Sequence, residues 1–404
     1  MELKCCVQQY AWGKIGRSSE VALLSGSGDP DFVVNERMPY AELWMGTHPN
    51  GPSVIKGTSQ KLSDWIATHE ESLGKQVLKQ FGRQLPFLLK VLSVNKALSI
   101  QAHPNKCHAE QLHKRSPEVY KDPNHKPELA IALTPFEALC GFRPLSEIKH
   151  NLQGIPELRD IIGKEAISEL LNSDEAGIQA ALRKVFHHLM TCPKETLQTQ
   201  LQNLLRRVET LGKHESSRAS LQVPLLQRLH SDFPGDVGCF GIYFFNLVTL
   251  NPGESIYLGP NEPHAYLSGD CIECMACSDN VVRAGLTPKY KDVETLCNML
   301  TYQCAPADTK KFLPRKEDDF TYIFSPPVPD FAVAKIMVPP GTGSYNLICR
   351  NSASIIIVIE GEAVSNIVKL KRGTIFYLPA TEKCSVNNTA GLRPLQLYQA
   401  FANV

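Results

Sequence analysis

Several things are scarce in this chain, and each scarcity removes a class of function. No segment approaches the roughly 18 uninterrupted apolar residues that read as a membrane-spanning helix. Charge of one sign is missing too: 42 Lys and Arg stand against 41 Asp and Glu, a formal net charge of +1. No overall field therefore draws the chain to nucleic acid or to a membrane surface, and neither is expected as a partner. An anionic small molecule would have to be met by a local cluster of cations. The N-terminal run MELKCCVQQYAWGK has no basic region followed by an apolar stretch, so a secretory leader is not expected. The C-terminal QAFANV carries no address or lipidation signal. The 13 Cys are odd in number and scattered over 404 residues, without the pattern of a disulfide framework. Reduced thiols in a cytoplasmic protein are the expectation.

What is present is ordinary in bulk. Hydrophobic residues make up 43% and charged residues 21%, near the globular norm, and the length asks for two or three domains. Thr58 to Phe81 reads as helix, with Leu62, Trp65, Ile66, Leu73, Val77 and Leu78 near a 3.6 period. Pro86-Phe-Leu-Leu-Lys-Val-Leu92 is apolar apart from Lys90, which either snorkels outward or holds its charge toward a polar cavity. On the second reading it is a candidate substrate-binding residue. From Leu145 to Ser231 aromatics nearly vanish, and Leu197, Leu201, Leu204, Leu205, Val208 and Leu211 trace one helical stripe. An all-α insertion over 145–233 is expected.

From Asp236 the texture turns to short strands. Ile242 to Leu250 reads as a strand, Asn251-Pro-Gly253 as a turn, Ser255 to Leu258 as a second strand, then a PNEP turn into His264. An internal repeat follows: GESIYLGPNEPH, from Gly253 to His264, aligns without gaps on GTIFYLPATEKC, from Gly373 to Cys384. The expected fold is mainly β with an all-α insertion. It comprises a metal-binding cupin or jelly-roll barrel over 1–144 and 234–310, and a degenerate barrel over 311–404. The second copy has Cys384 where the first has His264, so imidazole is absent where a metal would need it.

The first copy has the donors. In Leu98 to Ala102 polar and apolar residues alternate, and a strand points residues i and i+2 to one face. Gln101 and His103 therefore look the same way, as do Lys126 and Glu128 in the run HKPE. Nitrogen and oxygen donors without thiolate suit zinc or another divalent transition ion. His264, aimed by the PNEP turn, is the fourth candidate ligand. Pro127 cannot donate to a sheet ladder, so Glu128 is expected at an edge or on the lip of a barrel. Cys271, Cys274 and Cys277 have a C-x-x-C-x-x-C spacing but cannot share one face of a strand, so they are expected to pack rather than bind. Arg283 in VVRAG and Lys289 in the following turn are two cations on one strand–turn unit, able to receive a phosphate.

The runs WMGTHP, LSIQAHPNK, NHKPELAIALTPFEALCGFRP, PNEPHAYLSGD and CMACSDNVVRAGLTPK closely resemble the type I phosphomannose isomerases, and the likeness runs through essentially the whole chain. The resemblance implies one bound zinc and the interconversion of mannose 6-phosphate and fructose 6-phosphate by proton transfer through an enediolate, a step that feeds GDP-mannose synthesis and mannose metabolism. It implies zinc ligands at Gln101, His103, Glu128 and His264, and an active-site arginine at Arg283. Lys126, His125 and Asp279 fall on positions discussed as proton carriers; Ser99 and Lys289 fall near the substrate. A monomer is expected. Two other classes compete. A redox-iron oxygenase on the same scaffold would carry more imidazole, and Gln101 with Lys126, Arg283 and Lys289 argues against it. A non-catalytic sugar-phosphate sensor would leave the proton-transfer set without a purpose.

Overall fold

The computed structural model describes residues 1–212, 216–387 and 393–404. It is mainly β, with a block of helices between Leu145–Gly154 and Val223–Asp232. One strand organises the N-terminal sheet. His264–Ala276 pairs with Phe136–Phe142 through its first half and with Phe87–Val94 and Glu128–Ala132 through its second. The change of partners falls at Gly269, whose φ is +111°. A Cβ there would run into the Pro135 carbonyl, so the bend requires glycine. Glu42–Met45 extends the sheet beyond Phe87–Val94, and Ile100–Ala102 joins it through the pairing of Gln101 with His264.

The C-terminal part repeats this arrangement. Thr321–Phe324, Ala332–Val338, Leu395–Phe401, Ser354–Glu360 and Ile375–Leu378 lie in that order in one sheet. Gly253 and Gly373 open their turns at φ +92° and +81°, and Asn261 and Thr381, each eight residues on, both sit in the left-handed region at +62° and +64°. The register makes the two copies comparable residue by residue. Lys90 pairs with Glu273, and Ala334 with Gln399. Glu128 pairs with Leu258 and Met275, and Ser354 with Leu378 and Phe401. Lys90, Glu273 and Glu128 of the first sheet thus become Ala, Gln and Ser in the second, beside the exchange of His264 for Cys384. The interior of the second copy is filled by Ile336, Ile356, Val358, Phe376 and Leu397.

The two sheets meet back to back. Leu89, Val91, Leu129, Ile131 and Ile272 pack in one core with Val333, Ile355, Ile357, Tyr377 and Tyr398. The N-terminus closes the joint, the Met1 ammonium donating to the Tyr377 carbonyl at 2.8 Å. The helices build a separate core. Leu197, Leu201, Leu204, Leu205 and Val208 are buried along one stripe, and the same core includes Ile100, Ala102, Val282 and Ala284. The outward faces of Ile100–Ala102 and Val282–Gly285 therefore rest on the helical insertion, which leaves Gln101 and Arg283 on the opposite face.

Three local expectations are corrected. Thr58 to Phe81 is two helices, Leu62–Thr68 and Lys75–Phe81, joined by a 3₁₀ turn. Gly74 breaks the run at φ +92°, where a Cβ would collide with the Asn351 carbonyl. Ile242 to Phe244 is not strand: Val237–Tyr243 is a buried 3₁₀ helix capped by Asp236, and the strand begins at Phe245. Glu128 is not at an edge. It opens a central strand flanked by Ser255–Leu258 and His264–Ala276, with Pro127 just outside the ladder.

Because the sheet-to-sheet core is shared, damage on the C-terminal side should destabilise the whole chain. Ile357 is fully buried in it. Ile357→Ala should cost about 2–5 kcal/mol and lower the melting temperature in a single transition. A variant whose N-terminal part melts at the wild-type temperature, followed by calorimetry and near-UV dichroism, would show that the two sheets are energetically separate.

Candidate metal centre and active site

His103, Glu128 and His264 offer donor atoms that all lie within 4.8 Å of one another. Glu128 Oε2 is 3.4 Å from His103 Nε2 and 3.2 Å from His264 Nε2. The other ring nitrogens are committed. His103 Nδ1 faces the Asn280 carbonyl at 2.6 Å and His264 Nδ1 faces the Glu262 carbonyl at 3.0 Å. A carbonyl only accepts, so each Nδ1 carries the proton and each Nε2 presents a lone pair. Both Nε2 atoms and Glu128 Oε2 are buried without a hydrogen-bond partner among the described residues. Three lone pairs converging in a buried space is a costly arrangement unless a cation completes it. Zinc-to-nitrogen bonds of about 2.0–2.1 Å give tetrahedral edges of about 3.3–3.4 Å, the spacing seen here. The donor set fits a divalent ion of that kind.

The electrostatics agree with ligation. Burial pushes the His103 pKa down to about 4, with Glu128 only partly opposing, so the ring is neutral at pH 7. Burial would raise the Glu128 carboxyl, but the Lys126 ammonium leads the opposing effects, and the carboxyl lies well below the usual carboxylate range. Lys126 Nζ sits 3.1 Å from Glu128 Oε1, which leaves Oε2 as the free oxygen.

Gln101 lies directly opposite His264 on one side and Arg283 on the other. Directly paired residues share a face, so the three side chains emerge together. Gln101 Oε1 accepts from the Ser99 hydroxyl at 3.2 Å. The Arg283 guanidinium is partly buried and makes no hydrogen bond or ion pair among the described residues. Asp236 holds the turn that follows it, accepting from the Gly238 amide at 2.7 Å and the Leu286 amide at 2.6 Å while Leu286 sits at φ +53°. Lys289 is exposed, just beyond that turn.

Lys90 does not snorkel. Its Nζ is 3.1 Å from Glu273 and 3.4 Å from Glu42, and 5.1 Å from the centre of the Trp44 ring. Burial works against its charge, but Glu42, Glu273 and Glu128 outweigh burial and raise its pKa above the ordinary lysine value. Glu273 also accepts from the Tyr266 hydroxyl at 2.8 Å. Asp279 is half exposed, and the 3.3 Å contact from His48 is the main cause that lowers its pKa. His125 is engaged elsewhere: its Nε2 is 3.1 Å from Asp330 at the C-terminal part, while its neighbour Lys126 turns to Glu128. Adjacent residues in an extended segment point opposite ways, which separates the two. Cys271 and Cys274 fall in different hydrophobic clusters. Sequence reasoning missed Glu42, His48, Glu273 and Asp236. A charged residue within an apolar, alternating run, as Glu273 is in CIECM, was the one signal available.

Fold and centre together define a cupin-type enzyme with a His–Glu–His set competent for a metal. Residues 1–145 match the family described as phosphomannose isomerase type I, catalytic domain, and residues 161–245 the same family's helical insertion domain. The chain is 49% identical over 401 residues to mannose-6-phosphate isomerase of Bos taurus, covering 96% of this chain and 95% of that one. It is 40% identical to that of Schizosaccharomyces pombe over 100% of this chain and 99% of the relative. Among solved structures, mannose 6-phosphate isomerase from Salmonella typhimurium in its apo form aligns at TM-score 0.82 and 32% identity, covering 100% of this chain and 99% of that one. A mannose 6-phosphate isomerase bound with zinc and yttrium aligns at TM-score 0.83 with the same identity and coverage. The chain belongs to the type I phosphomannose isomerase family.

Two outcomes follow from this geometry. His264→Ala should lower bound zinc sharply, since the remaining donors hold a catalytic ion poorly. Full metal content by elemental analysis in that variant would remove His264 from the centre. Lys90→Met should destabilise by about 3–5 kcal/mol, because it leaves the carboxylates of Glu42 and Glu273 buried without their cation. Stability should return in part when Glu273→Gln is added. Denaturant unfolding of both variants checks this, and an unchanged midpoint for Lys90→Met would contradict it.

Proposed function

We propose that this protein is a zinc-dependent aldose–ketose isomerase that interconverts mannose 6-phosphate and fructose 6-phosphate through an enediolate. The observation that carries the reading is the buried triad of unpartnered lone pairs beside an unpartnered guanidinium, in a chain of this family. His103, Glu128 and His264, with Gln101 as the fourth donor, would hold one zinc per chain. When bound, the ion supplies a Lewis acid that favours negative charge on the sugar oxygens.

The chain's own residues supply the rest. The reaction removes a weakly acidic proton beside a carbonyl and returns it to the adjacent carbon, and negative charge develops on oxygen between the two transfers. Arg283 stays protonated and cannot act as base, so its role is to stabilise that oxyanion. Lys289, exposed past the turn, and Ser99, bonded to Gln101, are assigned to the phosphate and the sugar hydroxyls. Asp279 is kept ionised by His48 and Lys126 sits on Glu128, so these two are the proposed proton carriers. His125, tied to Asp330, is left outside the proton path.

Other parts of the reading rest on single supports. All four proposed ligands come from one chain, which agrees with a monomer. All 13 cysteines are free thiols, which agrees with a reducing, cytoplasmic setting. The proposed role of the reaction is to supply mannose 6-phosphate toward GDP-mannose and mannose metabolism. Residues 1–144 with 234–310 form the proposed catalytic unit, 145–233 the insertion and 311–404 the C-terminal unit.

A coupled assay with mannose 6-phosphate under nitrogen tests the activity, and absence of turnover by the zinc-loaded protein would end this reading. Arg283→Lys separates the roles of the guanidinium. An oxyanion role predicts a fall in kcat of about 10²- to 10³-fold with KM little changed and zinc content normal. A rise in KM alone would assign Arg283 to the ground-state phosphate instead.

A further inference from the structure

Two segments distant in sequence, 122–126 and 278–280, meet beside His103, and one carboxylate joins them. Asp122 Oδ1 accepts from the Asn124 amide at 2.9 Å and the Ser278 hydroxyl at 2.8 Å, and Oδ2 accepts from the Asp279 amide at 2.7 Å. The Asp122 carbonyl accepts from Asn280 Nδ2 at 2.6 Å, and the same nitrogen donates to the Asn124 carbonyl at 2.8 Å. Asn280 is 2% exposed, and its backbone N–H donates to the Ser278 hydroxyl at 3.1 Å. Its own carbonyl receives the His103 Nδ1 proton. On the other segment, two residues beyond Asn124, Lys126 holds Glu128 Oε1.

We propose that Asp122 is a positioning residue of the metal centre. Its carboxylate locks the 278–280 loop to the 124–126 loop, and through that lock it fixes the tautomer of His103, the hold of Lys126 on Glu128 and the backbone of Asp279. The inference rests on the metal reading above. An aspartate that merely turned its own loop would need only one oxygen, bonded to the amide two residues on. Here the second oxygen is spent across the gap, on a backbone N–H that cannot reverse its role. Converting the carboxylate to an amide keeps the shape but puts a donor either against the Asp279 backbone N–H or against the Asn124 backbone N–H and the Ser278 hydroxyl, and of these only the hydroxyl can rotate away.

The test is zinc binding by metal-free full-length protein, titrated against a chelating indicator at pH 7, with thermal unfolding of the metal-free form alongside. Partners of metal ligands typically matter by 10- to 100-fold in affinity, and Asp122→Asn should weaken zinc by about 10-fold or more. Asp292→Asn is the control: that carboxylate bonds Tyr120 at 2.6 Å and caps the next helix without touching 278–280, so zinc affinity should stay at the wild-type value. Wild-type affinity in Asp122→Asn, or an equal loss in Asp292→Asn, overturns the proposal. Should Asp122→Asn fail to fold, Ser278→Ala leaves the carboxylate in place and removes one bond to it, together with the hydroxyl's bonds to the Asn124 carbonyl at 3.0 Å and the Asn280 N–H at 3.1 Å. It should weaken zinc a few-fold, and no change there overturns the proposal as well. A wild-type protein that takes up no zinc overturns the metal reading itself; wild-type uptake with an unaltered Asp122→Asn sinks only the role of Asp122.

Discussion

The structure depends on one unfinished interaction: three lone pairs, on His103 Nε2, Glu128 Oε2 and His264 Nε2, brought together in a buried space with no donor to meet them. Each atom would be satisfied in water, and each is costly when buried alone. The fold nevertheless holds Glu128 Oε2 at 3.4 and 3.2 Å from the two ring nitrogens, with all three atoms within 4.8 Å of one another. It does so by committing the other polar atom of each group, the two Nδ1 atoms to backbone carbonyls and Oε1 to Lys126. The rings cannot flip to relieve the cluster without losing those bonds. A cation would complete the cluster, and much of the surrounding architecture serves to keep these three atoms in place.

That service explains a chain of 404 residues around so small a centre. The strand carrying Gln101 is too short to hold its own position, and Ile100 and Ala102 are anchored in the helical core. The strands carrying Lys90, Glu128 and Glu273 turn their outer faces to the C-terminal sheet. The second sheet is a copy in which each chemical position has been made inert, Ala334 for Lys90, Gln399 for Glu273, Ser354 for Glu128 and Cys384 for His264. Its interior is packed rather than open. A degenerate repeat is a suitable backing for the active one, since its twist and strand spacing already match.

Alternation within a strand is a local property, so the shared direction of Gln101 with His103, and of Lys126 with Glu128, was legible in sequence. The repeat from Gly253 to His264 was legible for the same reason, since its turns need the same backbone angles twice. What was not legible depends on contacts between distant residues. Lys90 could be placed only as a choice between two environments, because Glu273 lies 183 residues away. The break at Gly74 is set by the Asn351 carbonyl, which no periodicity in 58–81 reveals. The stretch Ile242 to Phe244 has strand-like residues, but a cap at Asp236 and burial on all sides turn it into 3₁₀ helix. His125 and Lys126 look equivalent on paper, and only the fold shows one facing Asp330 and the other Glu128.

The balance of charge in the cavity links the metal to the chemistry. With all groups counted as ionised, Lys90 and Lys126 carry +2 and Glu42, Glu128 and Glu273 carry −3, a net of −1 in a poorly solvated space. The excess is visible in Glu273, whose carboxyl is raised by burial and by its neighbours Glu128 and Glu42 against the pull of Lys90. A divalent ion would bring the sum to +1, Arg283, which makes no ion pair among the described residues, would bring it to +2, and the half-exposed Asp279 would return it to +1. The loaded site is therefore short of negative charge, and a ground-state sugar carbon skeleton supplies none. On the proposed mechanism, the negative charge that develops on the sugar oxygens would supply it, beside Arg283 and the residues that would hold the ion. Electrostatic stabilisation of this kind favours the transition state over the bound substrate. It also explains why Arg283 is left unpaired. A carboxylate partner would neutralise the guanidinium before the substrate could use it, and the fold instead aims it through the backbone, by the pairing with Gln101 and the turn held by Asp236.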